Sequence, residues 1–124
     1  MNKTPICRVN WDSLPWITPI PEVRFKAFEQ NGQRIRLVEF LRGFKETDWC
    51  RNGHIGYVLE GEGELEFSDR TVPLKTGDGI FISPGAEHEH MLHVVGELIR
   101  VVLVEEMQFK AQQIVPADIA TLGG

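Results

Sequence analysis

The sequence has 124 residues, 42% of them hydrophobic and 25% charged, with a formal net charge of −5. That length makes one domain, able to bury roughly two-thirds of its unfolded surface without disulfides or structural zinc. The acidic balance, with no block of Lys or Arg, argues against nucleic acid as a partner.

Residues 1–21 carry four of the seven prolines, with Trp11 and Trp16 between them. Proline removes amide donors and favours extended backbone, so this is an N-terminal arm rather than a helix. Its tryptophans are expected to pack against the domain body or another subunit. The arm has no apolar run of signal-peptide length, and no window of the chain approaches the ~20 apolar residues of a membrane span. Cys7 and Cys50 form no CxxC pair. The expectation is a reduced, soluble, cytoplasmic protein without a membrane partner.

From Glu22 the chain reads as short strands separated by glycine. "EVRFKAFE" alternates Val23, Phe25 and Ala27 with polar residues, and "QRIRLVEFLRGF" carries apolar residues on both faces. "IGYVLEG", "GELEFSD", "RTVPLKTGD", "GIFISPG", "HEHMLHVV" and "LIRVVLVEEM" follow, with turn signals between them. This rhythm predicts an all-β sandwich or barrel. The expected divisions are an arm at 1–21, a barrel at 22–106 and a tail at 107–124, in which Pro116 limits any helix.

Three of the four histidines, His88, His90 and His93, fall within "PGAEHEHMLH". Side chains alternate along a strand, so a strand opening at His88 would turn His88 and His90 inward and His93 outward. His54 begins another strand, and "VLEGEGEL" reads as strand, tight glycine turn and returning strand. Asp48 and Cys50 precede His54 with period-two spacing and would share a face. Imidazoles joined by a carboxylate or thiolate make the usual binding set for zinc, iron, nickel or manganese. The alternating Glu60, Glu62, Glu64 and Glu66 read as a solvated edge, and Arg34, Arg36 and Arg42 as an exterior face or rim. Arg100, flanked by apolar residues, would hold a substrate carboxylate if it faced inward.

The run Gly77 to His88, "GDGIFISPGAEH", resembles the second motif of the cupins: glycine, five residues, proline, one residue, glycine, two residues, histidine. "YVLEGEGEL", Tyr57 to Leu65, is similar to the end of the first cupin motif, and "EFSDRTVPLKT" has the length of the hairpin between them. The resemblance implies a jelly-roll barrel of the RmlC-like kind (a double-stranded β-helix), often dimeric, with a metal inside. The family's ligands are three histidines and a glutamate. Here His54 stands at the glutamate position, Asp48 and Cys50 stand at the first two histidine positions, and Ser83 takes the proline slot. His88 alone matches in type and place.

The expected ligand set is therefore His54 and His88, with His90 as a third ligand or proton carrier and Asp48 or Cys50 as a fourth. On this reading the chain is expected to be a homodimeric cupin that binds a divalent metal and a small-molecule substrate, with dioxygenase, isomerase or lyase chemistry among the family's activities. The alternative is a non-catalytic cupin that binds or senses a small ligand without metal. The fold hosts many chemistries and implies none of them by itself.

Overall fold

The computed structural model describes residues 7–106. Seven strands form in chain order: β1 Ile17–Ile20, β2 Val23–Gln30, β3 Gln33–Leu41, β4 His54–Phe67, β5 Thr71–Lys75, β6 Gly79–Ile82 and β7 His90–Glu106. Short 3-10 turns occupy Trp11–Ser13 and Ala86–His88. The sheet order is β1-β2-β3-β7-β4-β5, with β6 also paired to β4. All the strand pairs are antiparallel. The expected tail at 107–124 lies outside the described residues, as do residues 1–6.

Period-two patterning explains which face is buried. Val23 and Phe25 of β2, Val38 and Phe40 of β3, Val58 and Leu65 of β4, and Ile99, Val101 and Leu103 of β7 all point into one core. Phe44, Leu74, Ile80, Ile82 and Leu92 complete it. Burying such side chains supplies the main driving force for folding, about 1.5–3 kcal/mol for each one fully buried.

Two expectations about strand boundaries are corrected. "VLEGEGEL" is not a hairpin: β4 runs through it unbroken and is bent by pairing irregularities at Val58/Glu60 and Gly61/Glu62. Gly61 has φ +92°, and a side chain there would collide with the Leu98 carbonyl oxygen, so the bend demands glycine. Likewise the segments read as "HEHMLHVV" and "LIRVVLVEEM" are not two strands: from His90 to Glu106 they form the single strand β7, whose residues 96–98 stand out of the pairing with β4.

The bends roll the sheet, and the segment before β4 closes it. Residues 44–50 lie along the first half of β7 through bridges Lys45↔His93 and Cys50↔His90. Backbone amides of Glu46 and Cys50 donate to the carbonyls of Leu92 and His90, and those of His90 and Val94 donate to Cys50 and Phe44. β7 thus serves both layers of the barrel. Its second half lies between β3 and β4, and its first half lies between β4 and the 44–50 segment.

Trp16 packs on the body: the Arg24 guanidinium lies 3.9 Å from its ring centroid and Lys26 Nζ lies 4.9 Å away. Lys26 Nζ also donates to the Trp11 carbonyl at 2.8 Å.

Candidate metal centre

Three of the residues singled out in the sequence converge. Donor atoms of Cys50, His54 and His90 all lie within 4.8 Å of one another, and all three residues are buried. Cys50 Sγ is 3.8 Å from His54 Nε2, and the two imidazole rings meet edge to face with centroids 5.4 Å apart. They do not meet as a cross-strand pair. On β4 the partner of His90 is Phe67, at the far end of the strand from His54. A straight strand would hold those ends about 40 Å apart. Rolling of the barrel and the Cys50↔His90 bridge bring them together.

Each imidazole has an oxygen beside its outer nitrogen, and at His90 that contact is a hydrogen bond. His90 Nδ1 is 3.1 Å from the His88 carbonyl oxygen, which can only accept, so Nδ1 carries the proton and Nε2 presents its lone pair. That Nε2 is buried and has no partner among the described residues. Burial and the nearby His54 hold the His90 pKa below its ordinary 6.5, against the opposing hydrogen bond to His88, so the ring is neutral at pH 7. His54 Nδ1 lies 3.2 Å from Glu105 Oε2, a bent approach short of regular hydrogen-bond geometry.

Cys50 completes the donor set. Burial is the main cause that raises its thiol pKa to about 11, so without an ion it stays protonated. A bound metal would deprotonate it. One thiol sulfur and two imidazole nitrogens match the ligand chemistry of zinc and of the later divalent first-row metals. A buried lone pair with no donor to it among the described residues, as at His90 Nε2, costs free energy that an ion would recover. The residues present fit a metal.

Two carboxylates that the sequence did not single out belong to the surroundings. Glu46 lines the cavity together with His54 and His90, and its Oε1 accepts from the Leu92 amide at 2.8 Å. Burial, with a smaller contribution from Asp48, pushes its pKa up to about 7, and no cationic side chain pairs with it among the described residues. Glu105 is the opposite case. Burial alone would raise its pKa, but His54, Arg36 and Arg34 outweigh that and hold it at about 2. Its signal was present in the sequence, because it continues the inward parity of Ile99, Val101 and Leu103. Glu46 lies outside any named strand, and no parity marks it.

The cavity itself is small, about 30 Å³, with walls from Phe40, Leu65, Leu74, Ile80, Ile82 and Ile99. That is room for one or two waters. At the rim, a groove of about 310 Å³ touches His54 and Glu105 and is bordered by Asn52, Phe81, Ser83 and Pro84.

The remaining expected residues lie elsewhere. His88 does not open a strand: it ends the 3-10 turn Ala86–His88, is exposed, and contributes only its carbonyl to His90. Pro84 and Gly85, the latter at φ +121°, delay β7 until His90, so His88 does not share the inward face. Asp48 is exposed and outside the donor group, because the 44–50 segment is not a regular strand and period-two spacing does not hold there. His93 is partly buried, with Nε2 3.1 Å from Glu66 Oε1.

Two arginine readings are corrected. Arg100 points outward, where it pairs with Glu39 at 2.8 Å and with Glu60, so it is not a carboxylate clamp inside the barrel. Arg24, Glu39, Arg100 and Glu60 form one cross-strand row of alternating charge. Arg36, by contrast, is not on the exterior: it is 2% exposed and faces the core.

Residues 49–104 match the family described as Cupin domain. No curated protein matches the sequence. Among solved structures, KdgF from Halomonas sp. is similar with a TM-score of 0.66 and 20% identity, over 82% of this chain and 94% of that one. The polyketide cyclase RemF from Streptomyces resistomycificus is similar with a TM-score of 0.69 and 22% identity, over 83% and 80%. An RmlC-like cupin from Shewanella frigidimarina gives a TM-score of 0.68 at 14% identity, over 87% and 96%. At these identities the likeness establishes the barrel. Residues 49–104 thus carry the Cupin domain pattern, and the chain folds as the double-layered barrel of these structures.

Proposed function

We propose that this cupin binds one divalent metal through Cys50, His54 and His90 and uses it on a small organic molecule. One observation carries the reading: three buried donor atoms converge within 4.8 Å, and one of them, His90 Nε2, has no partner among the described residues. When bound, the metal would supply Lewis-acid polarisation of a substrate oxygen. The chain's own residues do the rest. His54 and His90 hold their lone pairs inward, and the aliphatic wall keeps bulk water out. Glu46, with a pKa near neutrality, is suited to give or take a proton within the cavity. The interior admits only the reacting group, so the body of a substrate would rest in the rim groove that touches His54. That RemF is a polyketide cyclase supports an enzymatic use of such a barrel.

Elemental analysis of untagged protein should find about one metal ion per chain after incubation with zinc, iron, nickel or manganese. Cys50→Ser and His90→Ala should each lower metal affinity by at least tenfold, and Asp48→Asn and His88→Ala should leave it unchanged. Cobalt loading should give a thiolate-to-metal absorption band that Cys50→Ser abolishes. A chain that stays empty with all four metals would sink this reading, and its apolar cavity would then support the metal-free ligand-binding alternative.

Two copies of the chain would pair through the outer face of β4, β6 and β7, where Ile55, Tyr57, Phe81 and Val104 are exposed large apolar residues. Sedimentation velocity should show a dimer that Phe81→Glu converts to monomer. A wild-type monomer at micromolar concentration would refute the pairing.

A further inference from the structure

One inward row crosses three strands. Arg34 of β3 is the register partner of Glu105 of β7, and the β4–β7 pairing of Ile55 with Val104 sets His54 in line with Glu105. Arg36, two residues along β3, reaches the same carboxylate. Arg36 Nε donates to Glu105 Oε1 at 3.0 Å, Arg36 Nη2 donates to Oε2 at 2.6 Å, and Arg34 Nε donates to Oε1 at 2.9 Å. Those bonds are charge-assisted, and the fork on Arg36 is bidentate, so the carboxylate cannot swing away without breaking a buried pair. Its Oε2 faces His54 Nδ1 at 3.2 Å.

We propose that Glu105 is the positioning residue of the site: clamped by Arg34 and Arg36, it keeps the His54 proton on Nδ1 and thereby fixes Nε2 as the donor that faces Cys50. The inference deepens the metal reading but does not depend on metal being bound. A carboxylate oxygen can only accept, so although the approach is too bent for a regular hydrogen bond, hydrogen on Nδ1 is the arrangement that avoids setting two lone pairs 3.2 Å apart. His90 is set the same way by the His88 carbonyl, and the two rings therefore present like nitrogens to one point. A carboxylate behind a ligating imidazole also raises its basicity, and losing such a partner typically costs 10–100-fold in metal affinity. Arg34 and Arg36 would then tie ligand geometry to β3, outside the donor group itself.

The test is the tautomer of His54 in metal-free protein at about pH 8, read from long-range nitrogen–proton NMR correlations of the histidine rings. The wild type should show His54 protonated at Nδ1. In Glu105→Gln the amide can turn its NH2 toward the ring, so His54 should shift toward the Nε2-protonated form, while His90 keeps its own. Glu105→Asp should retain part of the wild-type pattern. Zinc affinity by chelator competition should fall 10–100-fold in Glu105→Gln. A wild-type His54 protonated at Nε2, or one unchanged in Glu105→Gln, would overturn the proposal, and the wild-type spectrum decides even if a variant fails to fold. If the tautomer shifts as stated while the wild type takes up no metal, the positioning role stands and the metal reading alone falls.

Discussion

Arg36→Met should destabilise the protein by about 3–5 kcal/mol, the usual cost of removing one partner from a buried ion pair. Arg36 is 2% exposed, so its loss leaves Glu105 in the interior with only Arg34, itself partly solvated, and the His54 ring beside it. That cost is a large share of the 5–15 kcal/mol that holds an ordinary domain together. Removing the charge on both sides should restore part of it, because the penalty comes from the orphaned carboxylate rather than from the missing attraction. Urea unfolding of Arg36→Met, Glu105→Leu and the double variant checks this. The double variant should be more stable than the sum of the two single losses predicts, by about 1–3 kcal/mol. Strict additivity would mean that Arg36 acts through packing alone, against the Phe25 ring 5.3 Å from its guanidinium carbon.

The same network sets the acid limb of stability. Glu105 titrates at about 2 in the folded chain against an ordinary 4.5, so the unfolded state binds its proton first as pH falls. Its contribution is fully present above pH 4.5 and is lost progressively as pH falls toward 2.

Glu46→Gln should stabilise the metal-free protein by about 3 kcal/mol at pH 8 and change little at pH 4. Burial raises the Glu46 pKa to about 7 from an ordinary 4.5. The sign follows from which state holds the proton longer. Between pH 4.5 and 7 the unfolded chain has ionised while the folded chain still holds its proton, so stability falls as pH rises. Above 7 both forms are ionised, and the full cost of a largely buried carboxylate, with no cation paired to it among the described residues, is in place. Glutamine removes the charge yet keeps an oxygen to accept from the Leu92 amide. Melting curves across that range, for wild type and variant, give the result directly. Parallel pH profiles for the two proteins would show that Glu46 is solvated and carries no such cost. A residue whose ionised form is this unfavourable is more consistent with a functional role than a structural one, since stability alone would favour the amide. The same substitution should therefore abolish any proton transfer that the cavity performs.

The sequence by itself determined that the chain is a succession of strands. Alternation at Val23 and Phe25, and turn signals at "TGDG", are local, because parity and backbone preference act over a few residues. The Gly77–His88 spacing was enough to point to the cupins. Local reasoning failed where chain geometry departs from a regular strand. Parity was applied to His88, which lies in a turn, and to Asp48, which lies in the irregular 44–50 segment, and in both places the period of two does not exist. It also read a hairpin at Gly61 where a bulge carries the strand onward, since a glycine at positive φ serves either geometry.

Only the tertiary structure decided which residues meet. Cys50, His54 and His90 come from a loop and from the starts of two long strands whose register sets the histidines far apart, and closure of the rolled sheet joins them. Glu105 and Arg36 took their roles from a row that crosses three strands, and Glu46 became significant only when the barrel buried it without a cation. Burial and cross-strand distance are properties of the closed barrel, and no stretch of sequence contains them.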